Sequence, residues 1–217
     1  MRVIRHKNLC SSSVSTAPPK AQQTWRHPGG KLVELGSHAL KQDELLAILI
    51  GAGVPGRSAL AIANAVLDQY CGLYALHRWE ATVEDLARIP GVGRDKALRI
   101  LAAVELGRRL HRLWRSQKSA PKAEGDLLAG LDSKPKPEPA PQGPTDADLL
   151  ATIIGSGIRG RPPKVIAEDL LARFGSVLGL FDQDMGDFLS IRGLNSTKII
   201  RICATLEIAK RIALALS

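Results

Sequence analysis

The chain has 217 residues, 45% of them hydrophobic and only 4% aromatic, and a formal net charge of +9. This length predicts one or two domains, and the hydrophobic content excludes a chain that is disordered throughout. No apolar run approaches the roughly 18 residues that span a bilayer. Abundant Leu, Ala and Ile with few aromatics favour helix-on-helix packing, so we predict an all-α protein. The positive surplus favours a polyanionic partner, although charge alone fits a merely soluble basic protein equally well.

Residues 1–27 are predicted to form a disordered basic arm. The first 33 residues contain basic side chains without any acid, and they lack the apolar segment of a secretory signal. An organelle transit peptide is a weaker alternative on the same composition. The basic residues of this stretch are Arg2, Arg5, Lys7, Lys20, Arg26 and Lys31.

The cysteines and histidines indicate neither a disulfide framework nor a metal site. Cys10, Cys71 and Cys203 are far apart and odd in number, and the histidines are scattered. Such thiols fit a reducing compartment best. We therefore expect no metal and no cofactor, and a cytoplasmic protein.

The sequence repeats itself. Residues 44–53 match residues 148–157 at an offset of 104, and residues 89–96 match residues 191–198 at an offset of 102. A two-residue deletion explains the change of offset, which indicates a duplication. We predict one domain at 28–114, a Pro-rich linker at 115–144 and a diverged second copy at 145–217. The copies are expected to be separate domains, or domains that dock side by side.

Four helices are predicted in the first copy. Asp43 is expected to cap a helix that runs through Ile50, and Ser58 a second helix. Thr82 begins a third, and a last helix begins at about Arg94. The apolar face of the second helix is predicted at Leu60, Ala63, Leu67 and Tyr70.

The turn before the last helix is the segment most informative about function. Gly91, Val92 and Gly93 separate two helices, a pattern typical of a helix-hairpin-helix motif. The glycines are expected to take positive φ and to let another chain approach, so that free amides of the next helix hold a phosphate. Arg94, Lys96 and Arg99 would add charge around that site. The alternative is a simple tight turn between helices.

Further basic residues extend the predicted DNA-binding set. The second hairpin departs from the pattern, because Asn195 replaces the second glycine, and it is expected to be weaker and partly structural. Basic residues on one face of the last helix are also predicted to bind phosphate; the alternative is a solvated helix end. Both glycine-rich loops have P-loop spacing but carry Arg in place of the P-loop Lys. In the second loop, Pro162 also occupies the position of the hydroxyl residue, so we expect no nucleotide hydrolysis. The residues added by these features are Gly193, Lys198 and Arg201 in the second hairpin, Arg108, Arg112 and Arg115 on the helix, and Arg57, Arg159, Arg161 and Lys164 in the loops.

The first copy resembles the N-terminal helical domain of RadC proteins. The resemblance covers about residues 28–110 and rests on short motifs that occur in order: Gly36–Leu40, Asp43–Gly53, Ile89–Ala97 and Glu105–Arg109. RadC proteins continue into a JAMM-type metalloprotease-like domain, which is not seen here, so the resemblance implies the DNA-associated helical module without zinc chemistry. It also implies a link to DNA repair or recombination.

These observations predict a non-catalytic protein that grips the phosphate backbone of DNA with little sequence preference. No nucleophile, base or metal constellation can be placed at one site, and Glu105 and Glu207 are expected to be ion-pair or capping partners. The alternative is an adaptor that recruits a repair or mobile-element protein through the second copy. Oligomeric state and a preference for DNA over RNA, or for duplex over branched DNA, are left open.

Overall fold

The computed structural model describes residues 27–78, 80–119, 143–181 and 183–217. The predicted basic arm before residue 27 and most of the Pro-rich linker lie outside these ranges. Within them the regular structure is helical, with no strand, as predicted for an all-α protein. The α-helices are α1 Pro28–Leu35, α2 Gln42–Ile50, α3 Ala59–Tyr70, α4 Leu73–Arg78, α5 Val83–Ala87, α6 Arg94–Ser119, α7 Asp146–Ile154, α8 Pro163–Phe174, α9 Val177–Leu180, α10 Met185–Phe188 and α11 Ser196–Ala215, and a 3-10 turn covers Ser37–Ala39.

Several helix starts follow from side-chain caps. The Ser58 hydroxyl accepts the amide of Ala61 at the start of α3, as predicted. Thr82 caps α5 in a reciprocal capping box with Asp85. The prediction that Asp43 caps α2 is wrong, because α2 begins at Gln42 and Asp43 lies in its first turn.

The apolar face of α3 also differs from the prediction. Leu60 is 39% exposed, whereas Ile62 and Val66 are fully buried. The predicted Ala63 and Tyr70 are buried, so the buried stripe is rotated toward Ile62. The sequence did not identify the buried face correctly because alanines and other aliphatic residues occur on all sides of this helix.

Each of the two hydrophobic clusters contains residues from both halves of the chain. The first cluster is built from α1–α6 and also takes in Ala204, Ile208 and Ile212 of α11. The second is built from α7–α11 and takes in Ala102 and Leu106 of α6. The two repeats therefore dock side by side, and each one closes the core of the other.

The helices α6 and α11 form the most extensive contact between elements. A Cβ on Gly107 would lie 2.9 Å from the Cβ of Ile212 and 3.0 Å from the carbonyl oxygen of Ala209. Nearer their beginnings, Arg99 and Arg201 meet beside Gly155. The helices thus run side by side in the same direction, so both hairpins lie at one end of the molecule.

Candidate nucleic-acid interface

Half of the first hairpin is packed into the protein. Gly91 has a φ of +96°, and a Cβ there would lie only 2.7 Å from Cδ1 of Ile62. Val92 is buried, and its amide donates to the carbonyl oxygen of Ile89 at 2.9 Å. The expected positive φ is therefore found at Gly91 but not at Gly93, and the close neighbour of Gly91 is a side chain of its own fold.

Two predicted cationic residues hold the carbonyl groups of this hairpin. Arg57 Nη1 donates to the carbonyl oxygen of Pro90 at 2.8 Å, and Lys96 Nζ donates to that of Gly91 at 2.9 Å. Both side chains are only partly exposed. They fix the turn from the inside and keep their positive charge within it.

The other half of the hairpin is open. Gly93 is exposed, with no atom within 4 Å of a Cβ built there, and it precedes the first residue of α6. In the described part of the chain, the backbone N–H groups of Arg94, Asp95 and Lys96 have no hydrogen-bond acceptor. These are the donors that the start of a helix leaves unpaired. The Arg94 side chain is exposed, as is the carboxylate of Asp95.

The second hairpin has the same scaffold. Gly193 has a φ of +106°, and a Cβ there would lie 2.6 Å from Cδ1 of Ile166. Lys198, 7% exposed, donates from Nζ to the carbonyl oxygen of Gly193 at 2.8 Å. Arg161 Nη1 donates to the carbonyl oxygen of Arg192 at 3.1 Å. Lys198 and Arg161 therefore hold this turn as Lys96 and Arg57 hold the first one.

The two hairpins differ in how the following helix begins. Asn195 stands where the first hairpin has Gly93, and its Oδ1 accepts the amide of Lys198 at 3.0 Å. One donor that is open at the first hairpin is therefore occupied at the second. Sequence reasoning overlooked Arg192, an exposed cation inside this turn, because it stands where the first copy has Pro90.

The predicted basic face of α6 does not join the first hairpin. Arg108 begins about 20 Å along the helix from Arg94, at a rise of 1.5 Å per residue. It donates to the imidazole and carbonyl of His77, and Arg112 donates to Glu105 at 3.2 Å. Burial and the charge of Arg108 lower the pKa of His77. Arg115 is exposed on the same distal part of the helix.

The carboxylates at equivalent positions on α6 and α11 are ion-pair partners, as expected. Glu105 bonds Arg109 at 3.0 Å, and Glu207 bonds Arg211 at 2.7 Å. Arg109 also reaches Asp146 at the start of α7. Through Arg109 and Arg211, these pairs join the far ends of the long helices to the other half of the chain.

Two predicted loop cations of the second copy are paired with acids. Lys164 bonds Asp148 at 2.9 Å, and Arg161 pairs with Asp169. Hydrogen bonds from Thr145 and Lys164 hold the pKa of Asp148 well below its usual range. The charge of this loop is therefore largely balanced within the second copy.

The comparison with known proteins covers the half of the chain that contains the open hairpin. Residues 20–98 match the description UPF0758 N-terminal. A UPF0758 N-terminal domain is thus found at residues 20–98. UPF0758 protein YsxA of Bacillus subtilis (strain 168) is 46% identical over 86 residues, which are 40% of this chain and 36% of that protein. A UPF0758 protein of Burkholderia cenocepacia (strain HI2424) is 40% identical over 88 residues, which are 40% of this chain and 34% of that protein.

The UPF0758 N-terminal match includes Arg57 and the segment Gly91–Lys96, whereas Arg99 and the second repeat lie outside it. The chain therefore spans about a third of the length of these UPF0758 relatives. No solved structure matches the chain. Among the described residues, no helix is long and apolar enough to cross a membrane, and no group of three metal-ligating side chains comes together.

Proposed function

We propose that the protein binds DNA without catalysis and with little sequence preference, gripping the phosphate backbone at the first hairpin. The observation that supports this most directly is the open start of α6, where the amides of residues 94–96 have no acceptor in the described chain. A helix of 26 residues presents the positive end of its dipole at this point. An anion bound there would satisfy the amides and the dipole together.

The surroundings favour a phosphate over a carboxylate side chain of another protein. Arg57 and Lys96 place two positive charges inside the turn, and Arg94 offers an exposed guanidinium at its rim. Gly93 has no side chain to obstruct a backbone that comes close. Asp95 opposes the anion, so the net attraction comes from three cations and the helix dipole against one carboxylate.

Contacts of this kind position a protein on DNA and do not read bases, because every nucleotide offers the same phosphate. The lack of sequence preference follows from this. A role in repair or recombination, and a place on the nucleoid in the cytoplasm, are part of the proposal through the RadC resemblance alone. The UPF0758 relatives are named without a function.

The experiment is fluorescence anisotropy of a short labelled duplex with the full chain, between about 50 and 200 mM NaCl. The variant Arg94→Gln removes the exposed cation of the open hairpin. The control Lys210→Gln removes one exposed positive charge from α11, about 20 Å along that helix from its start. We expect Arg94→Gln to weaken binding about 3–10-fold for unrelated sequences alike and to reduce the salt slope by about 0.9, with Lys210→Gln unchanged. Salt-insensitive binding, or equal losses in both variants, would refute the proposal.

A second candidate, a protein-interaction adaptor, is favoured by the second copy. Its hairpin is capped by Asn195, and its surface exposes Leu189, a large apolar side chain that is 64% exposed. The full chain is needed for the test because the repeats share their cores. A partner captured from nuclease-treated lysate by the full chain, and lost with Leu189→Ser, would favour the adaptor.

A further inference from the structure

Two arginines at equivalent positions of the repeats lie side by side where α2 and α7 end. A Cβ on Gly155 would lie 3.3 Å from Nη2 of Arg99 and 3.6 Å from Nη1 of Arg201. Nη2 of Arg99 and Nη1 of Arg201 therefore lie close enough together for one small anion to contact both. On the other side, a Cβ on Gly51 would lie 3.8 Å from Nη2 of Arg201. In the described part of the chain, no carboxylate pairs with either guanidinium.

The protein balances only part of this double positive charge. Arg201 Nη1 donates to the carbonyl oxygens of Ile153 and Ile154 at 3.2 and 3.3 Å, at the end of α7. A helix end carries about half a negative charge, so the ends of α2 and α7 together offset about one of the two positive charges. The Arg99 side chain makes no hydrogen bond in the described part of the chain, and Nε of Arg201 is buried without a partner. Burial lowers the pKa of Arg201, and the positive charge of nearby Arg99 lowers it further.

Both arginines are partly exposed at the surface. Arg201 lines a groove of about 1020 Å³ between α1, α2 and the beginnings of α3 and α11. The carboxylates in that groove are Asp43 and Glu44, and Glu44 is neutralised by Lys31 at 2.7 Å. Lys41 adds a further cation to the groove wall.

We infer that Arg99 and Arg201 together form an anion site for one phosphate group at the seam between the repeats. A tetrahedral oxyanion reaches both guanidinium groups with charge-assisted hydrogen bonds of about 2.8 Å. It would also supply the negative charge that the helix ends leave missing.

The identity of the phosphate rests on the proposed function. Each arginine lies about 8 Å along its helix from the hairpin that precedes it, and both hairpins lie at the same end of the molecule. A DNA phosphate held by the pair would therefore sit close to the open hairpin. A free phosphate ion has the same chemistry, and the two sources are separated by experiment.

The first measurement is thermal unfolding of the full chain in sodium phosphate and in sodium chloride of equal ionic strength. Phosphate is expected to raise the Tm of the wild type and of Arg94→Gln by about 2 °C or more, because a ligand that binds only the folded chain stabilises it. Arg99→Gln is expected to reduce the difference clearly, leaving only what phosphate contributes at the open hairpin. The Arg99 side chain makes no hydrogen bond in the described fold, so this variant isolates the site, whereas Arg201→Gln also loosens the end of α7.

The second measurement is duplex binding by Arg99→Gln across the same salt range as above, with Lys210→Gln as the charge-matched control. A DNA phosphate at the pair predicts a salt slope smaller by about 0.9 and a loss of affinity of about 3–10-fold. Loss of phosphate stabilisation with unchanged DNA binding would support the site with a free phosphate as its ligand. Unchanged behaviour of Arg99→Gln in both measurements would overturn the inference. The proposed function fails separately, when Arg94→Gln leaves DNA binding unaltered.

Discussion

Gly91 and Gly93 are two residues apart and have opposite roles. Gly91 has a positive φ and faces Ile62, so its lack of a side chain serves the packing of the turn. Gly93 faces open space with an ordinary φ, so its lack of a side chain serves whatever approaches from outside. The segment Gly91–Gly93 thus contains one glycine that the packing requires and one that is accessible from outside.

This difference predicts opposite results for two alanine variants. Gly91→Ala is expected to lower the free energy of unfolding by about 2–4 kcal/mol, because positive φ costs about 1 kcal/mol and the overlap with Ile62 about 1–3 kcal/mol. Gly93→Ala is expected to lower it by about 1 kcal/mol or less, since only the helix cap changes. Urea unfolding of both variants measures the difference. Equal losses would show that Gly93 is also packed.

Residue patterns predicted part of the hairpin. The demand for glycine at position 91 and the cationic character of Arg57 and Lys96 are visible in the sequence. The contacts of these cations are not visible, because a lysine that donates to a carbonyl inside the turn has the same sequence spacing as a lysine that binds a phosphate. The cap of Asn195 was within reach, since Asn favours that position.

The pair of long helices is the element on which the molecule depends. α6 and α11 run in the same direction. The lack of a side chain at Gly107 lets the backbone of α6 pack directly against Ala209 and Ile212 of α11. Sequence periodicity predicted where α6 begins. It did not predict the partner of α6, because an apolar stripe identifies a buried face without identifying what covers it.

Gly107→Ala tests this contact. Its Cβ would lie 2.9 Å from the Cβ of Ile212 and 3.0 Å from a backbone oxygen, so the helices must move apart. We expect a loss of about 1–3 kcal/mol in the free energy of unfolding. Gly186→Ala is the matched control, because nothing lies within 4 Å of a Cβ there and α10 is helical. A neutral result for Gly107→Ala in urea unfolding would contradict the packing of α6 on α11.

Both hydrophobic clusters of the molecule are shared between the two halves of the chain. Removing residues 143–217 would expose the part of the first cluster that Ala204, Ile208 and Ile212 cover. The repeated sequence blocks indicate a duplication, and the likeness of the two hairpins is visible in the same blocks. The sharing of two cores is not visible there, because the repeat pattern is the same for separate and for interlocked copies.

Fragments 1–119 and 143–217 test this arrangement when they are produced separately and together. Each is expected to be poorly folded alone, by far-UV and near-UV circular dichroism, because it exposes the core surface that the other covers. When co-expressed with a tag on one fragment only, they are expected to co-purify in equal amounts. Two independently folded fragments that do not associate would contradict the shared cores.

An exchange of the residues that precede α6 and α11 tests directly whether the open amides of the first hairpin hold a phosphate. Gly93→Asn introduces the cap of the second hairpin, so it should stabilise the chain by a few tenths of a kcal/mol while its side chain occupies the amide of Lys96. We expect duplex affinity to fall about tenfold at low salt as stability rises, and we expect the reciprocal Asn195→Gly to lose stability without losing affinity. Gly93→Asn binding duplex DNA as tightly as the wild type, at both low and high salt, would contradict the claim that the open amides of the first hairpin hold the phosphate.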